Sequence, residues 1–229
     1  MKRIGMIGGF SPESTKDYYS KIIELYRKYK KDDYPEIVIN SMDINKLFTY
    51  INNGELGELT NWLLSGINDL KNAGSDFCFI SANTPHIVFD KLQERSILPM
   101  ISIVETTCEY ASQKKYKKLG LLGTKFTMDA DFFKRPFTNK NIEVFVPNND
   151  EIEYIKNKYL TEIEIGKYSD QTKKRFIDII QKMKIKYGLD GMILGCTEFP
   201  LLLNGIDLGI EMMNTTNIHI EKIVEYSLE

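Results

Sequence analysis

Gly191-Met192-Ile193-Leu194-Gly195-Cys196-Thr197-Glu198 is the stretch on which the fold turns. It opens as an apolar run, passes through small polar residues and leads into a short helical pattern, so it reads as strand, turn and helix start. Its apolar residues do not alternate with polar ones, as expected of a parallel strand covered by helices on both faces. Phe79-Ile80-Ser81-Ala82-Asn83-Thr84 has the same form, with Ala82 placed 114 positions before Cys196. A second pair, Ile4-Gly5-Met6-Ile7-Gly8-Gly9 and Leu119-Gly120-Leu121-Leu122-Gly123-Thr124, repeats at the same offset. Repetition of this kind suggests two similar α/β halves, each presenting strand C-termini to a cleft between them.

The rest of the chain follows the same alternation. Strands are expected at 3–7, 36–41, 77–81, 100–103, 119–122, 143–146, 191–194 and 208–211. Amphipathic helical patterns lie between them at 15–30, 55–72, 85–93, 105–114, 151–164 and 171–186. Short strands alternating with longer helices imply an α/β class with mainly parallel sheets. The expected organisation is one α/β domain from 1–98 together with 208–229, and a second from 99–207.

The 229 residues suffice for a substantial core, and 42% apolar with 27% charged residues excludes a disordered or fibrous chain. A net charge of −2 leaves no footprint for nucleic acid or a membrane surface. The one cationic run, Lys114-Lys115-Tyr116-Lys117-Lys118, falls where a helix should end, a position that favours solvated lysines. No apolar stretch is long enough for a membrane span. Three cysteines without a CxxC pair and two distant histidines argue against a disulfide framework and a histidine-rich metal cage. An intracellular, cytoplasmic, metal-free protein is the expectation.

Among the cysteines, Cys196 stands apart. At a helix start its sulfur would meet unpaired N–H groups and the helix dipole, which favour a thiolate with a pKa below the free value; a buried apolar cysteine is the alternative. Thr197 can cap there, and Glu198 suits the first turn. Cys78, between Phe77 and Phe79, and Cys108, in a helical pattern, read as structural. Asn83 and Thr84, with Pro85 at a first helical position, could offer N–H and hydroxyl groups to a carboxylate or form an ordinary helix cap. Gly8-Gly9-Phe10-Ser11-Pro12-Glu13-Ser14-Thr15 resembles an anion-cradling loop but lacks both GxGxxG and GK[ST], which argues against a dinucleotide or P-loop site. Gly123-Thr124-Lys125 is its counterpart in the second half. His86 and His219 read as structural.

Taken in order, these segments resemble the aspartate/glutamate racemase family of the Asp/Glu/hydantoin racemase superfamily. Ile7 to Thr15 with Tyr18-Tyr19 resembles the family's GGxxPxAT…YY opening, and Asn83-Thr84-Pro85-His86 resembles its CNTxH. Gly123-Thr124-Lys125 resembles its GT motif and Gly195-Cys196-Thr197-Glu198 its GCTE, with matches running from residue 4 to about 203. The resemblance implies two α/β domains in pseudo-twofold relation, with the chain's end returning to the first. It further implies an active site in the cleft, a homodimer, an amino-acid substrate, and neither pyridoxal phosphate nor metal. In that family one cysteine thiolate removes the Cα proton while a second cysteine delivers one to the opposite face. By the match, Cys196 is the retained acid/base; Asn83, Thr84, Thr124 and Thr197 would hold the α-carboxylate, and the Gly9-Phe10-Ser11 loop would close the site.

The chain departs from that pattern twice. The first cysteine's place holds Ala82, whose methyl group cannot move a proton, and losing one acid/base group typically lowers rate by ~10²–10⁴. Where aspartate-preferring members carry a lysine, Glu162-Ile163-Glu164-Ile165-Gly166 places Glu164, and Lys46 is the one cation around residues 43–50. A carboxylate there repels a distal carboxylate, which puts aspartate in doubt as substrate. An amino-acid racemase of the aspartate racemase type is the favoured expectation. A single-cysteine lyase resembling arylmalonate decarboxylases, or a non-catalytic binding homologue, is the alternative.

Overall fold

The computed structural model describes residues 1–163 and 165–229. In chain order the first half holds β1 (Ile4–Gly8), α1 (Pro12–Tyr29), β2 (Ile37–Ser41), α2 (Ile44–Asn52), α3 (Leu56–Asn72), β3 (Phe77–Ile80), α4 (Phe89–Arg95), β4 (Met100–Ile101) and α5 (Ile103–Gln113). There follow β5 (Lys118–Gly123), α6 (Lys125–Asp129), α7 (Asp131–Asn139), β6 (Glu143–Phe145), α8 (Asn149–Lys158), α9 (Asp170–Tyr187), β7 (Gly191–Gly195), α10 (Phe199–Leu202), β8 (Glu211–Asn214) and α11 (Thr215–Leu228). The strands form two four-stranded sheets with the orders β2-β1-β3-β4 and β6-β5-β7-β8, paired in parallel. The repeated segments therefore occupy equivalent places: β1 and β5 in one inner position, β3 and β7 in the other.

Two compact units result, Met1–Thr106 with Thr216–Glu229, and Thr107–Thr215. In the first unit the period of two along each strand sends alternate side chains to opposite faces. Ile4, Met6, Phe77 and Phe79 pack with Tyr18, Ile22 and Tyr26 of α1 and with Ile220, Ile223 and Val224 of α11. Ile7, Cys78 and Ile80 pack on the other face with Leu59, Leu63, Ile67 and Leu70 of α3 and Leu92 of α4. Each such aliphatic or aromatic side chain taken fully out of water contributes about 1.5–3 kcal/mol. Burial on both faces is why these strands carry no polar alternation. Ser11 caps α1, accepting from the Ser14 N–H, and a capping box between Asn148 and Glu151 starts α8.

The sheets draw the unit boundaries elsewhere than at 98/99 and 207/208. β4 pairs with β3, so residues 100–101 belong to the first unit. The expected strand at 208–211 is displaced to Glu211–Asn214 and pairs with β7, inside the second unit. Asp207 accepts from the Gly209 N–H and Gly209 adopts φ +64, so residues 207–209 turn before the strand begins. Glu211 is held at the strand's start by the Tyr110 and Tyr116 hydroxyls, each donating to its carboxylate at 2.6 Å. The expected helix at 85–93 divides into a tight 3₁₀ turn over Thr84–Val88 and α4. The lysine run is split as well: α5 ends at Gln113, Lys115 turns with φ +61, and Lys118 already starts β5. Helices α2, α6 and α7 went unread; α2 and α6 are short, and α7 carries Pro136 inside it.

Candidate active site

At the end of β1, Gly9 takes φ +89, and a Cβ there would lie 2.2 Å from the Met42 carbonyl oxygen. Only glycine fits both the conformation and the approach. Its N–H donates to Thr15 Oγ1 at 3.0 Å, and that hydroxyl donates to the Ser11 carbonyl at 3.0 Å. Ser14 Oγ donates to the Ser81 carbonyl at 2.9 Å, fastening this loop to the end of β3. Phe10 is not presented by the loop. Its ring is buried against Trp62, edge to face at 6.1 Å, within the apolar cluster of α3.

At the end of β3, Ser81 Oγ donates to the Ile7 carbonyl, leaving Ala82 and Thr84 half-buried and Asn83 between them. Asn83 is 5% exposed, and neither Nδ2 nor Oδ1 of its amide has a hydrogen-bond partner among the described residues. A buried amide left in that condition costs about 1–3 kcal/mol. His86 lies on the same turn and is committed to backbone: Nδ1 is 3.0 Å from the Ala82 carbonyl, and Nε2 is 3.3 Å from the Ile103 N–H. The two partners fix one neutral tautomer, with the proton on Nδ1 and Nε2 accepting. Burial pushes its pKa down to about 4. Cys78 faces the apolar cluster, and burial raises its thiol to about 12.

In the second unit, β5 ends at Gly123, and Thr124 caps α6, accepting from the Thr127 N–H at 3.3 Å. Its neighbour β7, in register Gly123 to Gly195, ends immediately before Cys196. Cys196 is 5% exposed and its thiol donates to Glu198 Oε2 at 2.9 Å. The Thr197 hydroxyl donates to the same oxygen at 2.8 Å, and Glu198 is itself buried. The expectation of a depressed thiol pKa is overturned. Burial, then the charge and the hydrogen bond of Glu198, raise it well above the ordinary value, while the amides of Glu198 and Phe199 act the other way. The helix beyond is too short to reverse this: α10 has four residues, begins after Glu198, and lacks a side-chain cap, so Thr197 does not cap it.

The ends of the two inner strands of each sheet thus carry the sequence-expected residues: Gly9, Ser11, Ala82, Asn83 and Thr84 in one unit, Thr124, Cys196 and Thr197 in the other. Reading the sequence missed Glu198 as the partner of the thiol; its spacing of two residues on a tight turn is the signal that could have shown it. Glu164 lies outside the described residues. Lys46 is exposed, with its ammonium 5.2 Å from the Trp62 ring and 5.7 Å from the Tyr50 ring. Among the described residues no cluster of metal-ligating side chains occurs, and no helix is long and apolar enough to cross a membrane.

Comparison with known proteins agrees with this architecture. Residues 7–223 match the family model described as Asp/Glu/Hydantoin racemase. The broad specificity amino-acid racemase RacX of Bacillus subtilis (strain 168) is 24% identical over 217 residues, covering 93% of this chain and 92% of the relative. The crystal structure of an aspartate racemase homologue from Pyrococcus horikoshii OT3 superposes with a TM-score of 0.84 at 36% identity, covering all of both chains. Picrophilus torridus aspartate racemase shares the fold, with a TM-score of 0.80 at 19% identity over 99% of this chain and 94% of that one. With a match that spans nearly its whole length, the chain belongs to the Asp/Glu/hydantoin racemase family, and racemases are isomerases.

Proposed function

We propose that the protein is a cofactor-independent amino-acid racemase in which Cys196 moves a proton at Cα. The orphaned amide of Asn83 is the observation that carries this reading. An α-amino acid offers what that amide lacks: a carboxylate to accept from Nδ2 and an ammonium to donate to Oδ1. Thr84, Thr124 and Thr197 would complete the hold on the α-carboxylate, where charge develops as the Cα proton leaves. The backbone of the Gly9–Ser11 loop would close over the substrate. The similarity to RacX supports a substrate range wider than aspartate, in keeping with the absence of a lysine at position 164. A cytoplasmic homodimer is proposed from the family resemblance.

Ala82 favours a second reading. On its side neither His86, with both ring nitrogens on backbone groups, nor Cys78, buried in the core, is free to move a proton. One-sided proton transfer, as in a decarboxylating lyase, would need Cys196 alone. Incubation with L- and D-amino acids in D₂O, followed by proton NMR and chiral chromatography, separates the readings. Exchange of the Cα proton with inversion supports racemisation; exchange of one enantiomer without inversion supports one-sided transfer. No exchange leaves decarboxylation or a binding protein, and ligand-induced stabilisation without product identifies the latter. Cys196→Ala should abolish exchange while Cys78→Ala preserves it; equal loss in both, or in neither, refutes the assignment.

A further inference from the structure

Resting on the homodimer reading, we infer that two copies of this chain join through the outer edge of β2, which pairs antiparallel with itself across a two-fold axis at Ile39. β2 ends the order of the first sheet. The Ile4 N–H donates to the Glu36 carbonyl and the Met42 N–H to the Gly8 carbonyl, in a register that sets Ile4 against Ile37 and Gly8 against Ser41. Bonds to β1 therefore come from residues 36, 38, 40 and 42, whereas the N–H and C=O groups of Ile37, Ile39 and Ser41 point away from the sheet. Such a row of outward donors and acceptors is a template for another strand, and proteins guard it with shortness, charge or proline. The other sheet edges among the described residues are guarded: β4 has two residues, β6 has three with Glu143 among them, and β8 starts at Glu211. β2 has five residues, Ile37-Val38-Ile39-Asn40-Ser41, without charge or proline.

Its surroundings extend the surface. Ile39 is 40% exposed, where every residue of β1 and β3 is buried. It stands beside Met6, and a Cβ at Gly8 would lie 3.5 Å from Ile39 Cγ2 and 2.7 Å from Thr15 Cγ2, which places Ile39 under α1. One turn further along α1, Tyr19 is 46% exposed, so apolar surface continues from strand to helix. A second copy fits this edge. With Ile39 opposite Ile39, Ile37 of either copy faces Ser41 of the other, and each of these pairs exchanges two N–H···O=C bonds. Like charges are not set opposite each other: Glu36 falls opposite Met42 and Asp43 opposite Pro35, and Glu36 carries its own cation in Arg3. The contact is isologous and closes after two copies, using both free edges at once, whereas a foreign strand would leave its own far edge open.

The test is sedimentation equilibrium of the unaltered protein, Ile39→Val and Ile39→Lys. The first two should be dimers. Ile39→Lys sets two ammonium groups opposite each other and should raise the dimer dissociation constant at least about 100-fold. Far-ultraviolet circular dichroism and Trp62 emission check that this variant is folded. Ile39→Cys gives an independent reading, because the three native cysteines are buried. In the antiparallel pair the two Cα atoms would stand about 5.5 Å apart, so a short bismaleimide should link the copies. The same reagent should leave Ile185→Cys, an exposed position in the other unit, unlinked. A dimer that survives Ile39→Lys, or Ile39→Cys copies that do not link, overturns the inference and leaves the homodimer reading standing. An unaltered protein that sediments as a monomer overturns both.

Discussion

Mild acid should destabilise the first unit through two histidines. His219 is a fully buried residue of α11; its Nε2–H donates to the Ile101 carbonyl at 3.1 Å and its Nδ1 accepts from the Tyr18 hydroxyl at 2.9 Å. The rings of Tyr18 and Phe79 stand edge-on to it at 5.7 and 5.4 Å. Burial pushes its pKa down to about 3, as it does that of His86 to about 4, against an ordinary 6.5. The unfolded chain therefore binds protons that the folded one refuses. The stability this represents is complete above pH 6.5 and is lost as pH falls toward 4 and then 3. At pH 5 each histidine has given up about 2 kcal/mol, because every pH unit below 6.5 removes about 1.4 kcal/mol. Their joint loss of about 4 kcal/mol is a large share of the 5–15 kcal/mol of a typical domain. Few carboxylates take up protons between pH 7 and 5, so the interval isolates the histidines. Trp62 is the single tryptophan and lies in this unit, so urea unfolding followed by its fluorescence reads the right transition. His219→Gln, which can still donate to Ile101 and accept from Tyr18, should halve the pH effect. A loss below about 1 kcal/mol between pH 7 and 5 would mean that the histidines are not held neutral as their partners require.

Three substitutions probe the rest. Asn83→Ala should leave the fold unchanged or stabilise it by about 1 kcal/mol, since the amide has nothing to lose. The same change should weaken amino-acid binding at least about tenfold in calorimetric titration; destabilisation beyond about 1 kcal/mol would show that the amide is bonded in the free protein. Gly9→Ala should cost about 2–4 kcal/mol in urea unfolding and abolish exchange, because Cβ meets the Met42 carbonyl and φ is +89. Phe79→Ala, removing a ring packed against both Tyr18 and His219, should cost about 3–5 kcal/mol by the same Trp62 assay.

The architecture was legible because a doubly covered strand has no option but to be apolar throughout. Phe77–Ile80 and Gly191–Leu194 announce themselves for that reason, and their spacing exposes the repeat. The sequence puts the last strand at 208–211, three residues early, since Leu208-Gly209-Ile210 is as apolar as Met212-Met213 and the turn at Gly209 depends on one side-chain bond from Asp207. Cys196 is legible from its place after a strand, but the direction of its pKa shift is not. The sequence shows a helix start; it does not show that the helix has only four residues, or that Glu198 folds back onto the sulfur. The orphaned amide of Asn83 was beyond reach, because an unmet hydrogen bond is a property of packing and leaves no trace in residue type.

Why the candidate residues of the first unit stand where they do follows from the order of its sheet. β1 and β3 are inner neighbours, but the chain leaves them toward opposite faces. After β1 it enters α1, which packs on the face of Ile4, Met6, Phe77 and Phe79. After β3 it enters the turn and helix that bring Val88 and Leu92 to the face of Ile7, Cys78 and Ile80. Two turns that diverge from adjacent parallel strands leave their carboxyl ends without a helix running across them, the arrangement that makes a ligand crevice in open α/β sheets. Gly9 and Asn83 stand on those two turns, with Ser14 and Ser81 tying them together. The second sheet has the same order, and Thr124 and Cys196 stand at the matching places. Cys78 makes the point by contrast. It sits in β3 itself, four residues before Ala82, and there the same thiol group is only a piece of core.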